Sequence, residues 1–356
     1  MKNTFGTVVS VTLFGESHGA AVGAICDGLA PGIPVDEAYI AHRLMMRRGV
    51  AELSTSRREP DAFSIVSGVY RGYTTGSPLC VMIPNTDADP GEYEKTAGVL
   101  RPGHADYTAL EKYHGFADMR GGGHFSGRLT APLVAVGAIV MRELERCGVR
   151  IGTHLLSCDG IEDRAFDDYE KDIAHLSDAA FPVLDKDAGD RMADAIRAAA
   201  ANGDSVGGVM QTAVVGFPVG VGEPWFDTVE GCLAKAMFSI PAVKGVSFGD
   251  GFALAAMTGS QANDPFVLSN GQVKTASNHN GGINGGITNG MPLLMQCAVK
   301  PTPSIAQEQT TVDMRTKKEV TLSISGRHDP AIAPRACAVA DAMTALTLYD
   351  LMRLKG

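Results

Sequence analysis

The sequence lacks the features that define several large classes of protein. It contains no run of about 18 apolar residues, so it predicts no transmembrane helix. Near its start Val8, Val9, Val11 and Leu13 are interleaved with polar residues, without the apolar core and small-residue cleavage site of a signal peptide. The seven cysteines are scattered, with no C-x-x-C pair and no metal-ligand spacing. We therefore expect a cytoplasmic protein with reduced thiols, no membrane segment and no metal site.

The chain also has fewer basic than acidic residues. The chain carries 31 Lys and Arg against 40 Asp and Glu, a net charge of −9, which disfavours a nucleic-acid-binding surface. Most of the excess lies in residues 159–194, which hold twelve acidic and four basic side chains. We interpret residues 159–202 as an acidic, helical surface insertion. The arginines elsewhere stand in a nearly neutral chain.

The apolar content, 45% of 356 residues, is sufficient for a substantial core. Segments rich in β-branched residues and bounded by Gly, Pro or Asp predict strands over 4–13, 20–26, 62–69 and 78–83. Apolar residues at helical spacing predict helices over 36–48, 129–147, 185–201, 226–238 and 334–353. Asp36 is the expected N-cap of the first and Gly148 the C′ residue of the second, while Pro334 suits the first position of the last. Mixed blocks without regular βαβ alternation, and without a dividing linker, predict one α+β domain over residues 1–356.

A Gly-x-Ser-x-Gly pattern occurs at residues 15–19, Gly-Glu-Ser-His-Gly. A serine nucleophile on such a turn must be followed directly by a helix. The next segment reads as a strand instead, which disfavours a serine hydrolase with Ser17 as its nucleophile. A hairpin turn alone does not need a glutamate, a hydroxyl and an imidazole between glycines, so we regard these residues as functional candidates.

Two further turns suit anion binding. Residues 101–106, Arg-Pro-Gly-His-Ala-Asp, present a planar guanidinium for phosphate or carboxylate and an imidazole that can transfer a proton near neutral pH. Residues 121–128, Gly-Gly-Gly-His-Phe-Ser-Gly-Arg, lead into the long helix, where backbone amides can approach an anion. The alternatives are a surface turn for the first segment and, for the second, a flexible loop with Thr130 as an N-cap.

Three segments near the C-terminus complete the set. Residues 278–290 hold five glycines in thirteen positions, but they do not have the G-x-G-x-x-G spacing, and the chain has no P-loop. Residues 300–304, Lys-Pro-Thr-Pro-Ser, add a cation and two hydroxyls, and residues 327–330, Arg-His-Asp-Pro, precede the last helix. Together with the Arg47-Arg48 and Arg57-Arg58 pairs, they indicate a site for phosphorylated, anionic ligands.

The order of these motifs resembles the chorismate synthase family. The resemblance runs from residue 6 to about residue 351. Its matching segments are residues 15–19, 28–34, 55–61 (Thr-Ser-Arg-Arg-Glu-Pro-Asp), 101–107, 239–245, 277–290, 300–304 and 327–330. The implied fold is a compact β-α-β sandwich, assembled as a homotetramer.

The resemblance implies an enzyme that converts 5-enolpyruvylshikimate 3-phosphate to chorismate by anti-1,4-elimination of phosphate, in aromatic amino acid biosynthesis. His18 would protonate the departing phosphate, His104 would lie near flavin N1, and Asp329 would help flavin N5 act as the base. The substrate phosphate and carboxylates would be held by Arg47, Arg58, Arg101 and Arg128.

The family requires reduced FMN, although the reaction has no net redox change, and NADP is also associated with it. The flavin pocket would include Ser126, Pro241, Ala242, Gly285, Lys300, Pro301, Thr302, Pro303, Ser304 and Arg327. No appended oxidoreductase domain is visible in the sequence, so an external flavin reductase is the expected partner that supplies the reductant.

The chain departs from the family pattern in the triple-glycine loop. The family's Gly-Gly-Gly-Arg-Ser-Ser-Ala-Arg-Glu-Thr stands here as Gly-Gly-Gly followed by His124, Phe125, Ser126, Gly127, Arg128, Leu129 and Thr130. An arginine commonly found a few residues after the Arg47-Arg48 pair is replaced at about Leu53. The alternative function is therefore a flavin- or phosphometabolite-binding paralogue with impaired catalysis.

Overall fold

The computed structural model describes residues 2–54, 59–87, 98–324 and 329–355. Within these ranges the helices are α1 (Glu37–Arg48), α2 (Asp106–Lys112), α3 (Thr130–Arg146), α4 (Tyr169–Leu176), α5 (Lys186–Ala201), α6 (Val229–Ser239), α7 (Gly259–Ala262) and α8 (Ala333–Lys355). Short 3-10 turns cover Gly123–Phe125, Gly127–Leu129, Trp225–Asp227 and Gly251–Ala256. No helix in these ranges is long and apolar enough to cross a bilayer.

The strands in the same ranges fall into two large sheets and four hairpins. They are β1 (Thr4–Phe5), β2 (Ser10–Gly15), β3 (Ala21–Asp27), β4 (Ser64–Ser67), β5 (Val69–Tyr70), β6 (Tyr73–Thr74), β7 (Leu79–Pro84), β8 (Arg150–Cys158), β9 (Ile161–Glu162), β10 (Gly208–Val215), β11 (Val243–Phe248), β12 (Phe266–Ser269), β13 (Gln272–Thr275), β14 (Ile283–Asn284), β15 (Ile287–Thr288), β16 (Leu293–Val299), β17 (Gln309–Asp313) and β18 (Lys318–Leu322).

The two large sheets are antiparallel and enclose the helical core. The first has the order β1-β2-β3-β7-β4 and packs on α3, and the second has the order β11-β16-β10-β8-β9 and packs on α8. Helices α3 and α8 cross in the middle, flanked by α1 and α6. These layers form one compact domain, which confirms the prediction of an α+β sandwich.

Strand β8 is buried on both faces. Thr153 donates to Asp341 of α8 at 2.6 Å, whereas a side chain at the preceding Gly152 would press on Ile173 of α4. Alternate residues of a strand point to opposite faces, so the core helices cover one face and the acidic helices α4 and α5 contact the other. Residues 159–202 thus contribute two helices to an outer layer.

Residues 4–13 do not form the single strand that the sequence predicts. Gly6 has a φ of +96°, and a Cβ there would collide with the Val9 carbonyl. The next three backbone N–H groups, those of Thr7, Val8 and Val9, donate to the Asp350 carboxylate of α8 at 2.8–2.9 Å. The chain leaves the sheet to make these bonds, and only β1 and β2 remain in register.

Candidate active site

The turn between β2 and β3 carries His18. The Ser17 amide donates to the Gly123 carbonyl at 3.1 Å, and the Ser17 hydroxyl contacts His18 Nδ1 at 3.0 Å. A strand follows this turn, so the strand-turn-helix context of a nucleophile elbow is not met and the serine hydrolase hypothesis loses its structural basis. The turn instead presents the His18 imidazole to the triple-glycine loop.

The triple-glycine loop packs directly against His18. Gly121 has a φ of +60°, and a Cβ there would collide with the His18 ring. His124 Nδ1 lies 2.9 Å from the Gly15 carbonyl, so it donates its proton there and ties the two loops together. Ser126 accepts from the Arg128 amide at 3.2 Å, while the Thr130 hydroxyl donates to the Gly127 carbonyl at 2.6 Å. Ser126 therefore caps the 3-10 turn of Gly127–Leu129, and α3 begins at Thr130 without a side-chain cap, so the alternative of Thr130 as an N-cap is wrong.

Two buried arginines share the carboxylate of Asp61. Arg47 Nη2 donates to Asp61 Oδ2 at 2.7 Å, and Arg128 Nη1 pairs with Asp61 Oδ1. Arg128 also lies 3.8 Å from Glu59, donates to the Pro84 carbonyl at 3.1 Å and reaches Asn85 Oδ1 at 3.0 Å. All four charged side chains are less than 10% exposed.

Burial and mutual pairing set the charge states of this group. Burial, reinforced by the neighbouring Arg335 and Arg128, lowers the pKa of Arg47 to about 10, which leaves the guanidinium protonated at neutral pH. Burial raises the pKa of Asp61, but the two arginines outweigh it and hold that pKa below its usual range. Asp61 is therefore ionised and pairs with both guanidiniums, while Glu59 lies at the edge of the group.

Arg101 and His104 are organised by Asp106 at the start of α2. Arg101 donates through Nε and Nη2 to the two oxygens of Asp106 at 2.8 and 2.6 Å, and His104 Nδ1 lies 2.9 Å from Oδ1. These hydrogen bonds overcome the effect of burial and lower the pKa of Asp106 far below its usual range. Arg101 Nη2 also donates to the Gly121 carbonyl at 2.7 Å, which joins this turn to the triple-glycine loop.

The segment of residues 300–304 lies beside the His104 turn. Lys300 Nζ donates to the Gly103 carbonyl at 2.6 Å, and a Cβ on Gly103 would lie 3.2 Å from Pro303. The Lys300 amide donates to the carbonyl of Ala242, whose φ of +71° is rare for a residue other than glycine. The Thr302 hydroxyl is buried and has no hydrogen-bond partner among the described residues. An unsatisfied buried hydroxyl is the kind of group that a bound ligand would satisfy.

Asp329 is connected to Arg47 through Arg335 of α8. Arg335 Nη1 pairs with Asp329 Oδ2, while its Nε donates to the Arg47 carbonyl at 3.1 Å. Asp329 is buried, and within the described ranges its Oδ1 has no partner. Burial raises the pKa of Asp329, and Arg335 only partly opposes this effect.

The glycine-rich segment of residues 278–290 contains the hairpin of β14 and β15. Gly285 and Gly286, both at positive φ, form its turn, and the Gly286 carbonyl accepts from the Val229 amide of α6. Thr228, at the start of α6, and the Glu223 carbonyl also lie against Gly286, so this turn packs on the N-terminal end of α6. The residues just before this hairpin bind Asp264, which accepts from the Ser277 hydroxyl and from the amides of His279 and Asn280. Burial raises the pKa of Asp264, but these hydrogen bonds outweigh it and lower the pKa to about 2.

The structure therefore brings most of the candidate residues into one connected group: the His18 turn, the triple-glycine loop, Arg47, Arg128 and the His104 turn with residues 300–304. Arg58 and Arg327 lie outside the described residues. Sequence reasoning missed the groups that connect these elements, namely Glu59, Asp61, Asn85 and Arg335. The first two were present in the matched segment of residues 55–61, but nothing in the sequence indicated that their carboxylates would pair with Arg47 and Arg128.

Comparison with known proteins assigns the family. A family model described as chorismate synthase matches residues 9–353. The chorismate synthase of Thermococcus gammatolerans is 47% identical over 353 residues, 99% of this chain and 98% of that protein, and the one from Dehalococcoides mccartyi is 45% identical over 358 residues, 100% and 98% of the two chains. A crystal structure of chorismate synthase aligns with a TM-score of 0.77 and 30% identity, covering 98% of this chain and 93% of that one. Family model, relatives and structure agree along nearly the whole length, and this chain therefore belongs to the chorismate synthase family, whose members are lyases.

Proposed function

We propose that this chain eliminates phosphate from 5-enolpyruvylshikimate 3-phosphate to form chorismate, with reduced FMN as the cofactor. The observation that carries the proposal is that the His18 imidazole packs against the triple-glycine loop, which leads directly into the buried Arg128. The departure of a phosphate requires a proton donor and a cation that binds the phosphate, both held in place by the protein.

In this proposal His18 protonates the leaving phosphate. Arg47, Arg128 and Arg101 bind the anionic groups of the substrate, and Arg58 belongs to the same set. Their burial matters because charge-assisted hydrogen bonds are stronger where water is excluded. Asp61 opposes the effect of burial on the Arg47 charge and orients both guanidiniums before substrate arrives, which reduces the reorganisation needed during the reaction.

His104 acts through its Nε2 atom. Because Asp106 is ionised and accepts only, His104 Nδ1 must carry the proton that it donates, which leaves Nε2 to face a ligand. The opposite tautomer would place two lone pairs against each other. Asp106 is thus the residue that fixes the tautomer.

The residues beside His104 fit a flavin. The buried Thr302 hydroxyl, which none of the described residues satisfies, the Lys300 ammonium and the buried Ser304 offer donors to a phosphate or a ring oxygen. Pro241, Ala242, Pro301, Pro303, Ser126, Gly285 and Arg327 complete the proposed set. When bound, reduced FMN supplies transient electron donation that no side chain can provide. Asp329, whose buried Oδ1 has no partner among the described residues, would hold a proton for this chemistry.

The proposal includes a cytoplasmic homotetramer that receives reduced flavin from a separate reductase. Exposed aromatic side chains support an assembly, since Trp225, Phe226 and Phe252 are 84%, 94% and 90% exposed in a single copy.

Anaerobic turnover tests the function. The purified protein with reduced FMN and 5-enolpyruvylshikimate 3-phosphate is expected to release inorganic phosphate and form chorismate, and oxidised FMN serves as the control. Flavin binding measured by fluorescence without any phosphate release would support the alternative of a binding paralogue with impaired catalysis.

A further inference from the structure

The side-chain amide of Asn85 lies between the His18 turn and the Arg128 guanidinium, both of which the proposed reaction uses. Asn85 follows directly after β7 and is half-buried. Its Nδ2 donates to the Glu16 carbonyl at 2.9 Å and to the Gly19 carbonyl at 2.8 Å, one bond on each side of His18. Its Oδ1 accepts from Arg128 Nε at 3.0 Å, and its backbone amide donates to the Ala20 carbonyl at 3.1 Å.

This pattern fixes the orientation of the amide. Two carbonyl oxygens can only accept and a guanidinium N–H can only donate, so the flipped amide would put like groups against each other on all three bonds. Both N–H bonds and the oxygen of the side chain are satisfied in a single orientation. A residue bonded in this way transmits its position from one partner to the other, because it has no alternative arrangement of equal energy.

We propose that Asn85 is a positioning residue that holds the His18 turn at a fixed distance and orientation from the Arg128 guanidinium. This inference rests on the proposed roles of His18 and Arg128. In this proposal Asn85 acts on the reaction only through these two partners. Its effect is to align the proton donor with the phosphate that Arg128 holds.

The arrangement predicts a split between turnover and binding. Arg128 keeps its pairing with Asp61 when Asn85 is replaced, so the guanidinium stays in place and the substrate still binds. The His18 turn loses two of its anchors, and a displacement of about 1 Å at a catalytic group costs on the order of 100-fold in rate. We therefore expect N85L to lower kcat by at least about tenfold while KM changes by less than about threefold.

Two variants and a control separate this role from a structural one. N85D keeps the size of the side chain and an acceptor for Arg128, but it removes both donors to the His18 turn, so it should lose turnover as N85L does. N202A, at the exposed end of α5, is the matched control and should retain wild-type kcat and KM. Thermal unfolding is recorded for each variant to confirm that the chain is folded.

Combining the change with H18A gives the decisive measurement. If Asn85 acts through His18, the H18A/N85D variant should turn over as slowly as H18A alone, because the losses cannot add. Losses that add in the double variant, or wild-type kcat in N85D, would overturn the positioning role while the proposed function stands. Wild-type kcat in H18A would instead refute the proposed role of His18, and with it the inference about Asn85.

Discussion

The carboxylate of Asp61 pairs with both Arg47 and Arg128, so it affects the stability of the chain. It pairs with two guanidiniums that are almost fully buried, so its removal takes away the carboxylate that they share and leaves only Glu59, 3.8 Å from Arg128, beside them. We expect D61A to lower the free energy of unfolding by about 3–5 kcal/mol, measured by urea denaturation. D194A, which breaks an exposed pair with Arg197, is the control and should cost no more than about 1 kcal/mol. Equal effects in the two variants would contradict the prediction.

The same carboxylate makes stability depend on pH. Its pKa in the folded chain lies below the ordinary value, so the folded state binds its proton less readily than the unfolded state does. The stabilising contribution of Asp61 is therefore complete above the ordinary value of about 4 and is lost as pH falls through the folded-state pKa. Urea midpoints measured from pH 7 down to pH 3 should fall more steeply for the wild type than for D61A. Equal pH dependence of the urea midpoints in the two proteins would show that Asp61 does not cause the loss of stability.

His18 is needed only as the phosphate leaves. We expect H18A to lower kcat by about 10²- to 10⁴-fold with little change in KM, since general acid catalysis acts on the transition state. Anaerobic phosphate release at several substrate concentrations measures both constants. A rise in KM at wild-type kcat would show that His18 binds the substrate and does not donate the proton.

Arg335 opposes the effect of burial on Asp329. It supplies the nearby positive charge, so its loss should raise the pKa of that carboxyl still further. In R335Q the limb of the kcat/KM pH profile that reports ionisation of Asp329 should move to higher pH. R197Q, on the exposed face of α5, should leave the profile in place. If the limb does not move in R335Q, the ionisation that it reports is not that of Asp329.

At the scale of elements, the sequence predicted helices better than strands. Asp36 caps α1 by accepting from the Tyr39 amide at 3.0 Å, and Gly148 at a φ of +83° follows α3, so both helices end within one residue of their expected bounds. Caps and spacing are local signals. The prediction of a single strand over 4–13 is wrong because the interruption of the strand depends on Asp350, more than 340 residues away. The strand over 62–69 is interrupted at Gly68, where positive φ separates β4 from β5.

The crossing of α3 and α8 depends on a glycine. A Cβ on Gly137 would lie 2.5 Å from Ala342 Cβ and 2.8 Å from its Cα, so the helices could not keep their separation. We expect G137A to lower stability by about 1–3 kcal/mol despite the better helix propensity of alanine, measured by urea denaturation. G259A in α7 is the control, because a Cβ there meets nothing within 4 Å. A stabilised G137A would mean that the helices can move apart freely.

At the scale of the whole molecule, the sequence predicted most members of the candidate site but not the contacts that connect them. The motifs at His18, His104, Arg128 and residues 300–304 were recognisable from their residue types. The pairing of Arg47 and Arg128 through Asp61, and the bridges through Asn85 and Arg335, join segments that are distant in sequence. Such contacts depend on packing in three dimensions, and one sequence carries no direct signal for them.

The exposed aromatic residues give a test of assembly. In the proposed homotetramer these side chains become buried, so light scattering should give about four times the chain mass of 37.3 kDa. F252D should shift the mass to smaller species, because a charge buried at an interface without a partner is costly. V66D, on an exposed edge strand of the first sheet, shows whether the effect is specific to the face that carries Phe252. A tetramer unaffected by F252D would place the interface elsewhere.

Helix α8 joins parts of the chain that are synthesised long before it. Its Asp350 carboxylate holds the backbone of residues 7–9, Asp341 pairs with Arg43 of α1 and accepts from Thr153 of β8, and Arg335 reaches Asp329 and the end of α1. On the ribosome, α3 can cover the first sheet early, whereas the second sheet emerges with its apolar inner face uncovered until this last helix follows. An apolar sheet face that stays uncovered is prone to aggregate, so we expect chaperones to bind the nascent chain until α8 has emerged.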